Sequence, residues 1–178
     1  MSTLLGSRFV IAVFVLWASG CVDHAQLATA TQDQPTVAEV IDGDTVSIQF
    51  PGGPIETVRL LGIDTPETVD PSRPVQCFGP EASAHVATLL PPGTLVRLER
   101  DVDARDHFGR LLAYIYRADD ELLINLDLIE RGMADVTFYE PNFAYQRRFD
   151  HALTTAKTQR VGLWSVCGGP DVALDPAR

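Results

Sequence analysis

The sequence predicts an α+β fold, mainly β, in which five short strands close a small barrel and about three helices attach to it. Three observations point there. Short apolar runs alternate with Gly, Pro and Asp turn signals through the first two thirds of the chain. Helical spacing of apolar residues dominates the last third. The 178 residues are 46% hydrophobic, which is enough for one domain with its own core.

Residues 37–41 and 45–50 are strand-like runs, and Asp42-Gly43-Asp44 between them is a hairpin signal. Pro51-Gly52-Gly53-Pro54 is a second turn, followed by a third strand over 57–63. Residues 68–76 hold two prolines and no periodicity, so they read as a loop. Gly79-Pro80-Glu81 opens a helix, with Pro in its first turn and an acid near its positive end. Ala84, Val86, Ala87 and Leu90 give that helix an apolar face, and Pro91-Pro92-Gly93 ends it. A fourth strand covers 95–99. Asp106-His107-Phe108-Gly109 is a turn, and a fifth strand covers 110–116. Asn125 is placed to cap a short helix ending at Gly132. Residues 142–161 form a longer helix, with Tyr145, Phe149, Ala152, Leu153 and Ala156 at helical spacing and Gly162 as its stop. Five short strands with helices inserted late fit a barrel of the OB type.

Residues 1–20 do not read as part of the fold. Arg8 precedes the apolar run from Phe9 to Trp17, and Ala18-Ser19-Gly20 follows. That is the pattern of an export signal. Ala18-Ser19-Gly20-Cys21 also resembles a bacterial lipoprotein box, which would make Cys21 the lipidation site and a lipid the only tie to a membrane. The protein is therefore expected in the periplasm, on the cell surface as a lipoprotein, or outside the cell. Residues 21–35 are polar and read as a tether, 36–167 as the folded domain, and 168–178 as a loose tail. Export implies an oxidising compartment. With Cys21 set apart, Cys77 and Cys167 remain, either as a disulfide or as two free thiols.

The formal net charge is -10, from 14 basic and 24 acidic residues. That excludes a protein that coats nucleic acid through a broad basic surface, but not an enzyme with one small basic site. All but one of the basic residues are arginine, the exception being Lys157. Arginine suits bidentate contacts to phosphate. Asp42, Asp44, Asp64 and Glu67 stand close to strand ends, a set of hard oxygen donors of the kind that holds Ca²⁺ or Mg²⁺. No His or Cys cluster has zinc spacing. Taken separately, each acidic segment is better read as a turn or loop entry alone. Arg59 lies in the third strand and Arg110 follows a turn glycine. Carboxylates, a divalent cation and guanidinium groups together suit phosphodiester hydrolysis.

Val40-Ile41-Asp42-Gly43-Asp44-Thr45 resembles the first motif of the staphylococcal nuclease (thermonuclease) family, and the run from Arg59 to Thr68 resembles its second. Gly79-Pro80-Glu81-Ala82-Ser83, the run from His107 to Tyr114, and Gly162-Leu163-Trp164-Ser165 are similar to three later motifs, in the same order. The resemblance implies an OB-fold barrel that cleaves DNA and RNA to products ending in 3′-phosphate. It implies Ca²⁺, ahead of Mg²⁺, held by the side chains of Asp44 and Asp64 and the backbone carbonyl of Thr65, with Asp42 near the ion. It implies Glu67 as general base, and Arg59 and Arg110 on the scissile phosphate. Phe108 and Tyr139 fall where nucleotide-contacting residues are expected. A monomer is the expected state. Phe108 stands where the family's best-known member has Tyr, His107 where it has Lys, and Thr137 where it has a second Tyr; the loop over 68–76 carries one basic residue, Arg73. The competing reading is a non-catalytic OB-type module that binds nucleic acid or protein. Such a module would be expected to have lost Arg59, Glu67 or Arg110, and all three are present.

Overall fold

A computed structural model describes residues 33–175. The expected signal segment, Cys21 and most of the tether lie outside them.

The barrel is built from five strands: β1 (Thr36–Val40), β2 (Thr45–Gln49), β3 (Ile55–Leu60), β5 (Val96–Glu99) and β6 (Leu111–Arg117). β1, β2 and β3 form an antiparallel meander, β3 pairs parallel with β6, and β6 pairs antiparallel with β5. The sheet closes on itself where β5 returns to β1. Thr36 bridges Leu95, Val37 N–H donates to the Thr94 carbonyl at 2.9 Å, and Val96 N–H donates to the Pro35 carbonyl at 2.9 Å. Closure leaves no long unpaired edge among these strands. Inward-facing Val46, Ile48, Val58, Leu60, Val96, Ala113 and Ile115 are almost completely buried. Each larger aliphatic among them contributes about 1.5–3 kcal/mol of transfer free energy.

The third strand does not run on to residue 63 as the sequence suggested. It ends at Leu60, the chain turns at Gly62 with φ +77°, and a separate two-residue strand β4 (Ile63–Asp64) pairs with β8 (Asp135–Val136). A Cβ at Gly62 would also come within 2.8 Å of the Phe138 ring. This break carries Asp64 and the residues after it away from the barrel wall and toward its mouth.

Among the described residues there are four helices. α1 (Gly79–Leu89) begins at the expected Gly-Pro-Glu and packs Ala82 and Val86 inward. α2 (Ile124–Glu130) follows the short strand β7 (Leu122–Leu123) and is buried along most of its length. Asn125 is not its cap, since the capping position falls on Leu123. Asn125 is fully buried instead. Its Oδ1 accepts the Ile115 N–H and its Nδ2 donates to the Leu61 carbonyl, both at 2.9 Å. α3 (Gln146–Gln159) starts four residues later than periodicity suggested. Asn142 stays outside the helix, where its side chain accepts the Asp103 N–H at 2.9 Å. α3 ends on Arg160 in a left-handed conformation, and Gly162 instead starts the one-turn helix α4 (Leu163–Val166).

The segment after Cys167, expected to be loose, returns along the loop before α1. A disulfide joins Cys77 to Cys167. Beyond it, Cys77 N–H donates to the Val172 carbonyl at 2.7 Å, and Leu174 N–H donates to the Val75 carbonyl at 2.8 Å.

Candidate active site

At the barrel mouth the β1–β2 turn, the segment after β4 and the turn before β6 enclose a cavity of about 350 Å³. Asp42, Asp44, Arg59, Asp64, Thr65, Glu67, Phe108 and Arg110 all line it. Sequence positions from 42 to 110 thus meet in one place. Tyr139 is not among its walls. It lines an adjoining cavity of about 430 Å³ together with Thr137, and the two cavities share Arg59, Phe108 and Arg110.

Asp44 is the most enclosed carboxylate of the group, at 6% exposure. Its Oδ2 accepts the Thr65 N–H at 3.0 Å and the Thr65 hydroxyl at 3.1 Å. Its Oδ1 accepts the Thr45 hydroxyl at 3.0 Å. The β1–β2 turn is thereby fastened to the segment after β4. Gly43 permits the approach, because a Cβ there would lie 2.7 Å from Thr65 Oγ1. Arg59 sits between the two acidic segments. Its Nη2 is 3.1 Å from Asp44 Oδ2 and 2.9 Å from Asp64 Oδ1, and its Nη1 donates to the carbonyls of Leu60 and Ile63, both at 2.9 Å. The break in the third strand aims those carbonyls at the guanidinium, so backbone and carboxylates fix it together.

Asp42 accepts the Asp44 N–H at 3.0 Å. Burial, and then the neighbouring Asp44 charge, push its carboxyl up to about 6. Burial, partly offset by Arg59, also raises Asp64. Asp42, Asp44 and Asp64 thus line one corner of the cavity together with Arg59. The donors are all oxygen, which suits a hard divalent cation. Among the described residues no three His, Cys, Asp or Glu side chains converge as a metal cluster. Asp44 and Asp64 are the two carboxylates brought together there through Arg59 Nη2, with Thr65 beside Asp44.

Glu67 lines the same cavity. Its Oε1 accepts the N–H groups of Thr68 and Val69, both at 2.8 Å, and of Asp70 at 3.0 Å. Burial alone would raise this carboxyl, but the three backbone bonds outweigh it and hold the group below the usual carboxylate value. With those bonds on Oε1, Oε2 is the oxygen available to a proton.

Arg110 is anchored by a residue that the sequence showed only as part of a turn. Asp106 Oδ2 accepts Arg110 Nε at 2.7 Å, and Asp106 Oδ1 accepts the Arg110 main-chain N–H at 2.9 Å. Gly109, at φ +85°, lets the turn fold back to make both contacts. Asp at the first and Gly at the fourth position of the turn was the legible signal. The Arg110 guanidinium lies 5.4 Å from the Phe108 ring. Phe108 and Tyr139 are each 72% exposed, unusual for large aromatics. Gln76 and Asp171 also line the cavity. Nothing in the sequence pattern singled them out.

Residues 57–166 match the family model described as staphylococcal nuclease homologue. A thermonuclease from Staphylococcus hyicus is 36% identical over 162 residues, which is 91% of this chain and 94% of that protein. A thermonuclease from Staphylococcus intermedius is 41% identical, over 72% of this chain and 74% of its own length. Endonuclease YncB of Bacillus subtilis (strain 168) is 40% identical over 75% of this chain and 62% of its own. With the closed OB-type barrel and the residues gathered at its mouth, these matches show that the chain belongs to the staphylococcal nuclease family.

Proposed function

We propose that the protein is a Ca²⁺-dependent nuclease that hydrolyses phosphodiester bonds of DNA and RNA and leaves 3′-phosphate ends. The observation that carries the reading is one cavity holding a hydrogen-bonded carboxylate, two anchored arginines and a pair of acids bridged by one of them. The names thermonuclease and endonuclease among its relatives support it.

Asp44 and Asp64, with the Thr65 carbonyl, would hold the Ca²⁺, and Asp42 would add negative charge beside it. A bound Ca²⁺ supplies Lewis-acid stabilisation of phosphoryl oxygens and acidifies water next to it. Glu67 is ionised at neutral pH, since its backbone bonds favour the carboxylate. Its Oε2 orients the attacking water and takes its proton. Arg110 is held through Nε, which leaves Nη1 and Nη2 as a fork for two phosphate oxygens. Arg59 lies across the cavity floor and stabilises the charge that grows on phosphorus during attack. Phe108 borders both cavities and Tyr139 the second, so a base adjoining the phosphate would meet them there.

All these groups come from one chain, consistent with a monomer. We further propose export, which the Cys77–Cys167 disulfide supports because such bonds persist in oxidising compartments. A lipid on Cys21 would be the membrane tie.

The test is cleavage of single- and double-stranded DNA and of RNA by the purified protein with Ca²⁺, Mg²⁺ or chelator, with end analysis of the products. Cleavage with Ca²⁺ and its loss with chelator are expected. Absence of cleavage on every substrate would overturn the nuclease reading.

A further inference from the structure

Gln76 is a buried amide, and both ends of its side chain are committed. Its Oε1 accepts the Glu67 N–H at 2.7 Å, and its Nε2 donates to Asp171 Oδ1 at 3.0 Å. Its own main-chain N–H donates to the Glu67 carbonyl at 2.8 Å. One residue therefore grips Glu67 by both main-chain polar groups. The three bonds that cradle the Glu67 carboxylate come from residues 68–70, which belong to the same loop and move with it. They set the side chain relative to the loop. Gln76 sets the loop relative to α1, which starts three residues later at Gly79.

The orientation of the Gln76 amide is fixed from outside the loop. Rotated by half a turn, it would present its oxygen to the Asp171 carboxylate and its NH₂ to the Glu67 N–H, and both contacts would be repulsive. Asp171 belongs to the segment tied back by the Cys77–Cys167 disulfide and by the bonds of Val172 and Leu174 to Cys77 and Val75. We propose that Gln76 and Asp171 are positioning residues for Glu67: the C-terminal segment is a strap whose carboxylate locks the Gln76 amide, and the amide locks the backbone from which Glu67 reaches into the cavity. The proposal rests on Glu67 being the base of the nuclease reaction.

Asp171 also brings a negative charge to the cavity, 3.7 Å from Arg73. The test separates that charge from the hydrogen bond. Asp171→Gly removes both, and its φ of +59° is one that glycine adopts without strain. Asp171→Asn removes the charge and keeps an oxygen that accepts from Gln76. Gln76→Glu sets carboxylate against carboxylate. Combining it with Asp171→Asn restores a donor–acceptor pair with its direction reversed, while the glutamate still accepts the Glu67 N–H.

In Ca²⁺-dependent cleavage, Asp171→Gly and Gln76→Glu should each lower kcat ~10-fold with KM within ~2-fold, the signature of a displaced reacting group. Asp171→Asn should retain at least ~3-fold more kcat than Asp171→Gly, and the double variant should recover at least ~3-fold over Gln76→Glu alone. Hydrogen exchange at the Glu67 amide is read without Ca²⁺ or substrate, and it should quicken at least ~5-fold in Asp171→Gly. Unchanged kcat in Asp171→Gly overturns the proposal, as does unchanged exchange at the Glu67 amide. If Gln76→Glu fails to fold, Asp171→Gly and Asp171→Asn carry the test. A parent protein without cleavage would refute the nuclease reading and, with it, the catalytic purpose of the strap; the exchange data would then report the mechanical link by itself.

Discussion

Asp106 holds Arg110 by two bonds at once, one to the side-chain Nε at 2.7 Å and one to the main-chain N–H at 2.9 Å. A guanidinium on a turn at the cavity rim would otherwise sample many rotamers, and ordering it during the reaction would cost free energy. Asp106→Ala should therefore lower kcat by ~10-fold, less than the ~10² or more expected for Arg110→Ala. In an Arg110→Ala background the Asp106 substitution should have almost no further effect. Single-turnover rates of the four proteins check this. Additive losses would mean that Asp106 acts by another route.

The same pair sets a pH dependence. Burial pushes the Asp106 carboxyl up, but bonds from the Arg110 side chain and backbone, the Arg110 charge and the Phe108 N–H outweigh it. The folded-state value therefore lies below the ordinary 3.8. A carboxyl with a depressed folded value contributes stability that is present above the unfolded value and lost as pH falls through the folded one. The parent should thus exceed Asp106→Asn in stability above about pH 4, and the gap should close as pH falls further. Urea midpoints of both proteins across that range test the sign. A gap that widens on acidification would contradict it.

Asn125 joins β6 to the turn after β3 through two buried bonds. Asn125→Leu fills the space but leaves the Ile115 N–H and the Leu61 carbonyl without partners. A loss of ~2–4 kcal/mol is expected, since each buried unpaired group costs ~1–3 kcal/mol. Denaturant unfolding measures it. A loss below ~1 kcal/mol would show that water or relaxation satisfies both groups.

The Cys77–Cys167 disulfide closes a span of 90 residues. Replacing both cysteines with serine should lower stability by about 3–5 kcal/mol, mainly by freeing the unfolded chain. Thermal unfolding with and without reductant should show the same loss in the parent and no response in the variant. A parent insensitive to reductant would show that the bridge contributes little.

The barrel was legible because its local signals agree with its global pairing. Asp42-Gly43-Asp44 and Pro51-Gly52-Gly53-Pro54 are turn sequences, and the runs between them have apolar residues on the buried face. The acids and arginines at the mouth were legible through ordered motifs. The departures come from long-range packing. Gly62 was compatible with an unbroken strand until the Phe138 ring and the Asp64–Asp135 pairing made it a turn. Asn125 looked like a cap because Asn favours that position, yet its partners, Leu61 and Ile115, sit on distant elements. Asn142 was drawn out of helix α3 by the Asp103 backbone. Gln76 and Asp171 stand 95 positions apart and carry no motif, so only the fold could bring them together.

The most direct test of the central claim compares the parent with Glu67→Gln and Arg59→Ala in Ca²⁺ and in chelator, measuring initial rates of DNA cleavage. Cleavage by the parent in Ca²⁺, none in chelator, and a loss of at least ~10² in each variant are expected. Ca²⁺-independent cleavage by the parent, or parent-like rates in both variants, would contradict that claim.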